Sequence, residues 1–251
     1  MMNYLWMVLL VAGLAWAQPK RPVDEGMTSL GPVRLTVINH ASLMIEHGGQ
    51  VIHVDPVGAG RYDGLPQADL ILITHAHGDH LDAAAVARLK KPGAIILGPE
   101  SVAKSLAGTT VIRNGETRKV GETTVEAVAA YNLKRGPSAG TFYLKRGPSA
   151  GTFYHPKGEG NGYVTTFAGR RGYIAGDTEA IPDMKLLKDI EVAFLPMNLP
   201  YTMTPEEAAE AALSFKPMLV YPYHCRGTDL TAFQKALEGS GVQVRIRDWY
   251  Y

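Results

Sequence analysis

Crosslinking sulfur is almost missing from this chain: one cysteine, Cys225, stands among 251 residues. No disulfide can therefore form within it, and the fold must rest on its core and on whatever metals it holds. An excess of charge is missing too. The 25 basic and 24 acidic side chains nearly cancel, which leaves no electrostatic footprint for a polyanionic backbone and argues against a nucleic-acid partner. Long hydrophobic runs are also lacking. The apolar stretch over residues 5–15 falls well short of the roughly twenty residues a helix needs to cross a bilayer. Followed by Ala15-Trp16-Ala17, it reads as a signal peptide over residues 1–17 rather than a retained anchor, even though Lys and Arg are absent from its first residues. The expectation is an exported protein, periplasmic or extracellular, with no stable membrane insertion once the signal is removed. Residues 18–251 read as a single domain, and 46% hydrophobic content supports a full core.

What the chain does contain is concentrated in one line. Thr74-His75-Ala76-His77-Gly78-Asp79-His80 follows the apolar run 70–73 directly. An extended segment alternates its side chains, so His75 and His77 share one side, and a turn at Gly78 can bring Asp79 and His80 round to join them. A lone histidine after a strand is more often a hydrogen-bonded core or surface residue. Three with an aspartate at this spacing favour a metal site over a fortuitous polar turn. Imidazole and carboxylate without thiolate suit zinc, with manganese or iron as alternatives, and such a set usually leaves a coordination position for water.

Strands are predicted at 33–38, 42–46 and 51–55, with Gly48-Gly49 turning the chain between the last two, so the chain opens as a meander. A strand at 70–73, a helix at 81–90 stopped by Pro92-Gly93 and a strand at 94–97 follow. The second half repeats the plan. A hairpin is expected from 162–167 and 171–175, and a buried strand at 192–195. Thr204-Pro205-Glu206-Glu207 is a capping box opening a helix that ends before Pro217. A strand at 218–221 then delivers His224, Thr228 is expected to cap a helix ending near Gly239, and 242–246 reads as a last strand. Two sheets with outer helices fit this inventory.

Residues 133–143 recur without change as 144–154. Two copies do not make a solenoid. Perfect identity points to a recent duplication, because two structural environments would favour different residues; the functional alternative is a loop lengthened over a pocket, since the second copy runs straight into His155. One copy is expected to keep the structural role while the other bulges into solvent.

Three later residues adjoin apolar segments: His155 before Pro156-Lys157-Gly158, Asp177 in Gly176-Asp177-Thr178, and His224 after Tyr221-Pro222-Tyr223. With the first cluster they resemble the metallo-β-lactamase superfamily, whose motifs occur in this order across nearly the whole mature chain. Asn39-His40-Ala41-Ser42, Asp55-Pro56 and residues 202–208 look most like the branch that contains L-ascorbate-6-phosphate lactonase and N-acyl phosphatidylethanolamine phospholipase D. The resemblance implies an α/β fold, an αββα four-layer sandwich with its site at one edge between the sheets. It further implies that His75, His77 and His155 hold one metal, Asp79, His80 and His224 a second, and that Asp177 bridges them; the duplication abuts His155. Asp55 would support the ligand shell through hydrogen bonds, the alternative being a plain strand-end turn. His40 lies near the site in that branch, whereas His47 and His53 read as surface and sheet residues.

The implied chemistry is hydrolysis of a small-molecule ester, lactone, amide or phosphodiester by a water that two cations activate, with Asp79 orienting it. The metal core alone does not choose among these bonds. Tyr154, Tyr201, Met203 and Tyr223 are candidate walls, although such residues are as often core packing. A non-catalytic metal-dependent binding protein, a β-lactamase and a redox enzyme of the flavodiiron type are the competing readings. The last is disfavoured because that branch has a glutamate where this chain has His77. Cys225 reads as a small buried hydrophobe rather than a tuning group for the second metal. Assembly into a homo-oligomer is compatible with the sequence.

Overall fold

The computed structural model describes residues 21–29, 31–136 and 153–251. The expected signal peptide at 1–17 and most of the tandem copies lie outside the described residues.

Two seven-stranded sheets are built in sequence order, one from each half of the chain. In the first, β1 (Val23–Thr28), β2 (Gly31–Asn39), β3 (Ser42–His47) and β4 (Gln50–Val54) run antiparallel. The chain then switches to parallel pairing through β5 (Ala68–Leu72), α1 (Ala83–Leu89), β6 (Lys90–Gly98), α2 (Glu100–Ser105) and β7 (Thr109–Val111). The second sheet repeats the order. Its antiparallel part is β8 (Thr117–Val120), β9 (Thr123–Ala130), β10 (Gly160–Phe167) and β11 (Arg170–Ile174). Its parallel part is β12 (Val192–Pro196), α3 (Pro205–Phe215), β13 (Leu219–Tyr223), α4 (Thr231–Leu237) and β14 (Gln243–Val244). The likeness of the two halves expected from the sequence is thus present strand for strand.

The period of two decides the layers. Leu70 and Leu72 on β5 join the large core between the sheets, while Ile71 and Ile73 face the other way and pack with Val86 of α1, Ile96 and Val102 of α2. On the far sheet α3 lays Ala208, Ala211, Ala212 and Phe215 against the same central core. Small residues let this helix sit close. Its start is the expected capping box: Thr204 accepts from the Glu207 N–H while the Glu207 carboxylate accepts from the Thr204 N–H. It stops at Lys216, left-handed at φ +47°, before Pro217. The result is an α/β sandwich of two mixed sheets flanked by helices.

Several sequence expectations need correction. Thr228 does not cap α4; its hydroxyl donates to the Met197 carbonyl instead, and Asp229 accepts from the Thr231 N–H. The helix expected at 81–90 begins two residues later, with Asp82 as its cap. The last strand is shorter than 242–246 because only Gln243 and Val244 pair with β13. Strand β1, helix α2 and strands β7–β9 were not anticipated. His47 is not a surface residue: it is buried, stacked on Phe167 at 4.0 Å between ring centroids. Its Nε2–H donates to Thr123 Oγ1 at 2.8 Å, since that hydroxyl spends its own proton on Gln50, and its Nδ1 faces no partner.

Burial lowers the pKa of His47 below the ordinary 6.5. The unfolded chain therefore binds more protons as pH falls below that value, and stability is lost in that direction. Replacing His47 by Gln keeps the donor and removes the titration. The midpoint of urea unfolding should then fall less between pH 7 and pH 5 in His47→Gln than in the wild type, and parallel slopes would refute the assignment.

Candidate metal centre

All the ligand candidates except His155, which lies in the loop between the antiparallel β9 and β10, stand where strands of the parallel ladders end. Strand β4 runs into Asp55, β5 into Thr74–His80, β11 into Gly176-Asp177 and β13 into His224. Ligand sites form at such carboxyl ends because loops there can converge without disturbing the ladder. Cross-sheet bonds set the spacing: the Asn161 N–H donates to the Thr74 carbonyl at 2.8 Å, and the Tyr163 hydroxyl to the Ile73 carbonyl at 2.7 Å. Gly176 completes the seam. It has φ +66°, and a Cβ there would come within 2.8 Å of the Asn161 carbonyl oxygen.

Asp177 is the centre of the arrangement. It is 5% exposed, and four imidazoles face it: His224 Nε2 at 3.2 Å, His80 Nε2 at 3.3 Å, His155 Nε2 at 3.3 Å and His75 Nε2 at 4.0 Å. Asp79 sits at the mouth, its side chain 52% exposed, with His40 Nε2 at 3.3 Å and His224 Nε2 at 3.5 Å from one carboxylate oxygen. Three overlapping groups of donors are close enough to share an ion: His75, His77 and His155; His75, His80 and Asp177; and His40, Asp79, His80 and His224. The structure therefore brings together every ligand expected from the sequence, His155 included.

The chemistry of the donors fits a cation. The Nδ1–H of His80 is committed to Asp55 at 2.8 Å, so in neutral form its Nε2 presents a lone pair to an Asp177 oxygen. The Nε2 atoms of His75, His80 and His224 and one oxygen of Asp177 are buried with no hydrogen-bond partner among the described residues. Leaving a buried carboxylate uncompensated costs several kcal/mol, so positive charge must lie between these atoms. Proton affinities point the same way. Burial alone would discharge His80, but Asp177 and Asp55 on its two nitrogens outweigh it and hold its pKa well above the usual imidazole range. Burial and the neighbouring His80 push His75 well below that range. Burial of Asp177 is overcome by His224 and His80, and burial of Asp79 by the adjacent His224 and His40 rings, so both carboxyls stay ionised far below their ordinary values. A divalent cation would supply the charge that His80 otherwise has to carry as a proton.

Supporting contacts orient these donors. Asp55, fully buried, accepts from the Thr74 N–H at 2.7 Å, the Thr74 hydroxyl at 2.8 Å and His80, and its carbonyl accepts from Ser42. This is the supporting role expected of it, not a plain turn. His40, Asp55 and His224 all have positive φ, +53°, +44° and +45°, a strain that side chains bear where surrounding contacts impose it. His40 is fixed from the far end of the chain. The Tyr250 hydroxyl takes the Cys225 N–H at 3.0 Å and lies 2.8 Å from His40 Nδ1, an arrangement in which Tyr250 donates and His40 presents its Nε2–H to Asp79. Sequence reading missed Tyr250, for nothing local marks it.

The wall candidates divide. Tyr201 is exposed beside a groove of about 600 Å3 that also borders His40 and Asp79, and Tyr154 lines a smaller hollow with His77 and His155. Met203 and Tyr223 are fully buried and belong to the core. Cys225 is buried, as expected, with burial pushing its pKa up to about 11. His53 is a buried sheet residue whose Nε2 bonds the Pro66 carbonyl. A separate apolar hollow of about 300 Å3 opens between the sheets at the other ends of β12 and β13, lined by Leu35, Phe167 and Phe194, and holds none of the ligand candidates.

Comparison with known proteins follows this geometry. The sequence profile of the Beta-lactamase superfamily domain matches residues 34–224. The chain belongs to the metallo-β-lactamase superfamily. A UPF0173 metal-dependent hydrolase of Pyrococcus furiosus is 33% identical over 208 residues, covering 76% of this chain and 84% of the relative. One of Methanopyrus kandleri is 31% identical, covering 85% and 95%. A crystal structure from Parabacteroides distasonis, named as a metal-dependent hydrolase, superposes with a TM-score of 0.82 at 43% identity and covers 91% of this chain and 99% of that one. These relatives support a metal-dependent hydrolase of this superfamily.

The loop before His155 shows how the duplication is accommodated. Glu179, two residues after Asp177, accepts the N–H groups of Leu133, Lys134 and Arg135, and the buried Arg135 reaches on to Glu207 at 2.7 Å. The Tyr154 N–H donates to the Arg135 carbonyl and the Asn132 N–H to the His155 carbonyl, clasping the two ends of the loop. The first copy thus supplies the anchor at its start, and the second ends on Tyr154, which borders His77 and His155. Whether the remainder bulges lies outside the described residues.

Two predictions arise here. Deleting residues 144–154 leaves the same sequence as deleting 133–143 and retains both anchors; shorter loop closure should add about 0.8 kcal/mol of stability with metal affinity unchanged, and loss of metal binding in a thermal-shift titration would refute this. In Asp55→Asn the amide places a donor where His80 needs an acceptor. Zinc affinity, measured by chelator competition, should fall about 10- to 100-fold, and an unchanged affinity would remove Asp55 from the supporting shell.

Proposed function

We propose that this protein is an exported hydrolase that holds two divalent cations and cuts a small ester, lactone or phosphodiester. The observation that carries the reading is the buried Asp177 carboxylate ringed by the Nε2 atoms of His224, His80 and His155, with His75 beside them. His75, His77 and His155 would hold one cation, Asp79, His80 and His224 the other, with Asp177 between them. Zinc best matches a donor set of imidazoles and carboxylates without thiolate, with manganese or iron as alternatives. When bound, such ions activate water near neutral pH and polarise the oxygen of the bond to be cut.

The chain's own side chains supply the rest. Asp79 remains ionised at the open mouth, and its Oδ2, held by His40 and His224, is placed to orient the attacking water. Asp55 keeps His80 in one tautomer. The open groove beside Asp79 and Tyr201 has room for a small molecule. Motif likeness to the lactonase and phospholipase D branch supports an ester, lactone or phosphodiester over a β-lactam. Export rests on the apolar segment and Ala15-Trp16-Ala17; among the described residues no helix is long and apolar enough to cross a membrane.

Asp79→Asn should keep the circular dichroism spectrum while lowering turnover of lactone or phosphodiester reporters by at least about 100-fold. Chelation should abolish wild-type turnover and added zinc restore it. Wild-type rates in the variant, or turnover indifferent to chelation, would sink the mechanism.

A further inference from the structure

We infer that Arg226 recognises an anionic group, a carboxylate or phosphate, carried by the substrate beside the bond that is cut; this rests on the hydrolase reading above. Arg226 immediately follows Cys225 and borders the groove next to Asp79, together with His40, Asn198 and Tyr201. It is the one guanidinium or ammonium among the described residues lining that groove. Its guanidinium lies 4.7 Å from the centroid of the Tyr250 ring, and no carboxylate among the described residues lies within ion-pair distance of it.

The position is built rather than incidental. The tyrosine that carries Arg226 on its face is the one whose hydroxyl holds His40, and His40 in turn contacts Asp79. Guanidinium, phenol, imidazole and carboxylate therefore form one connected row from the groove wall to the donor cluster. Stacking on a ring leaves the edge N–H groups of a guanidinium free, and those are the groups that pair with a carboxylate or phosphate in a planar fork. Asp82, the other acid bordering the groove, is turned to α1, where it accepts the Ala85 N–H. The Tyr201 hydroxyl and the Asn198 side-chain amide also make no hydrogen bond to another described residue, so they add neutral polar contacts beside the cation. A neutral substrate would leave Arg226 without a use. One whose anion spans from the scissile bond to the Tyr250 face would engage it.

The test compares zinc-loaded wild type, Arg226→Met and Arg226→Lys with two 4-nitrophenyl esters of equal acyl length, the hemisuccinate and the butyrate. The wild type should prefer the anionic ester by about tenfold in kcat/KM, as one partly exposed charge-assisted pair allows. Arg226→Met should lose that preference through KM, and Arg226→Lys should keep part of it. Arg88→Met, remote on α1, should leave the ratio where it was. Equal treatment of the two esters by the wild type, or a preference that survives in Arg226→Met, would overturn the inference. Calorimetric binding of the free acids succinate and butyrate is the second readout. Wild type should bind succinate more tightly, and Arg226→Met should bind the two alike; a retained difference counts against Arg226. Replacing succinate by 3-phosphonopropanoate then separates phosphate-like from carboxylate recognition by which of the two loses more affinity in Arg226→Met. If neither ester is hydrolysed, the lactone and phosphodiester reporters still decide the hydrolase reading and the calorimetric comparison still decides Arg226.

Discussion

A carboxylate buried between two sheets needs positive charge, and much of this molecule is arranged around that need. Asp177 sits at the end of β11 with four imidazoles within 4.0 Å. Its burial is tolerable only because those rings come from strand ends and loops of both sheets and converge on the one carboxylate. The β-sandwich supplies rigid walls, the parallel ladders supply coincident strand ends, and Gly176 permits the close approach that puts the carboxylate in the seam.

Around that centre the contacts form successive layers of restraint. Asp55 fixes His80, Thr74 bridges Asp55 and His75, and Tyr250 fixes His40 against Asp79. Positive φ at His40, Asp55 and His224 shows that backbone preference has been overruled in favour of side-chain placement. The duplicated segment is absorbed between two hydrogen-bonded ends, which explains why an insertion so near His155 leaves that ring facing Asp177. The metal-dependent hydrolases that resemble this chain share its fold, while the residues of its groove are where its own selectivity must be sought.

Legibility in the sequence followed the range of the interactions. His75, His77, Asp79 and His80 could be read together because one strand end and one glycine turn join them within six positions. The repeated plan of the halves was readable because hydrophobic alternation and capping are local. Thr228 was misread because its place just before α4 gives no hint that its hydroxyl will prefer the Met197 carbonyl, 31 positions away. His47 was misplaced for a similar reason: its burial depends on Phe167 and Thr123, which only sheet packing brings to it.

The sequence by itself determined the donor chemistry, the superfamily and much of the strand-helix order, since each depends on residue type and short spacing. Tertiary structure decided which atoms face one another. It made Asp177 the hub, enlisted Tyr250 from the far end of the chain, assigned the loop's anchor to Arg135 and Glu179, and set Arg226 on the groove wall. Those choices rest on contacts between segments far apart in the chain, and the energy that selects them, desolvation of buried charge against its pairing, exists only once the sheets have closed.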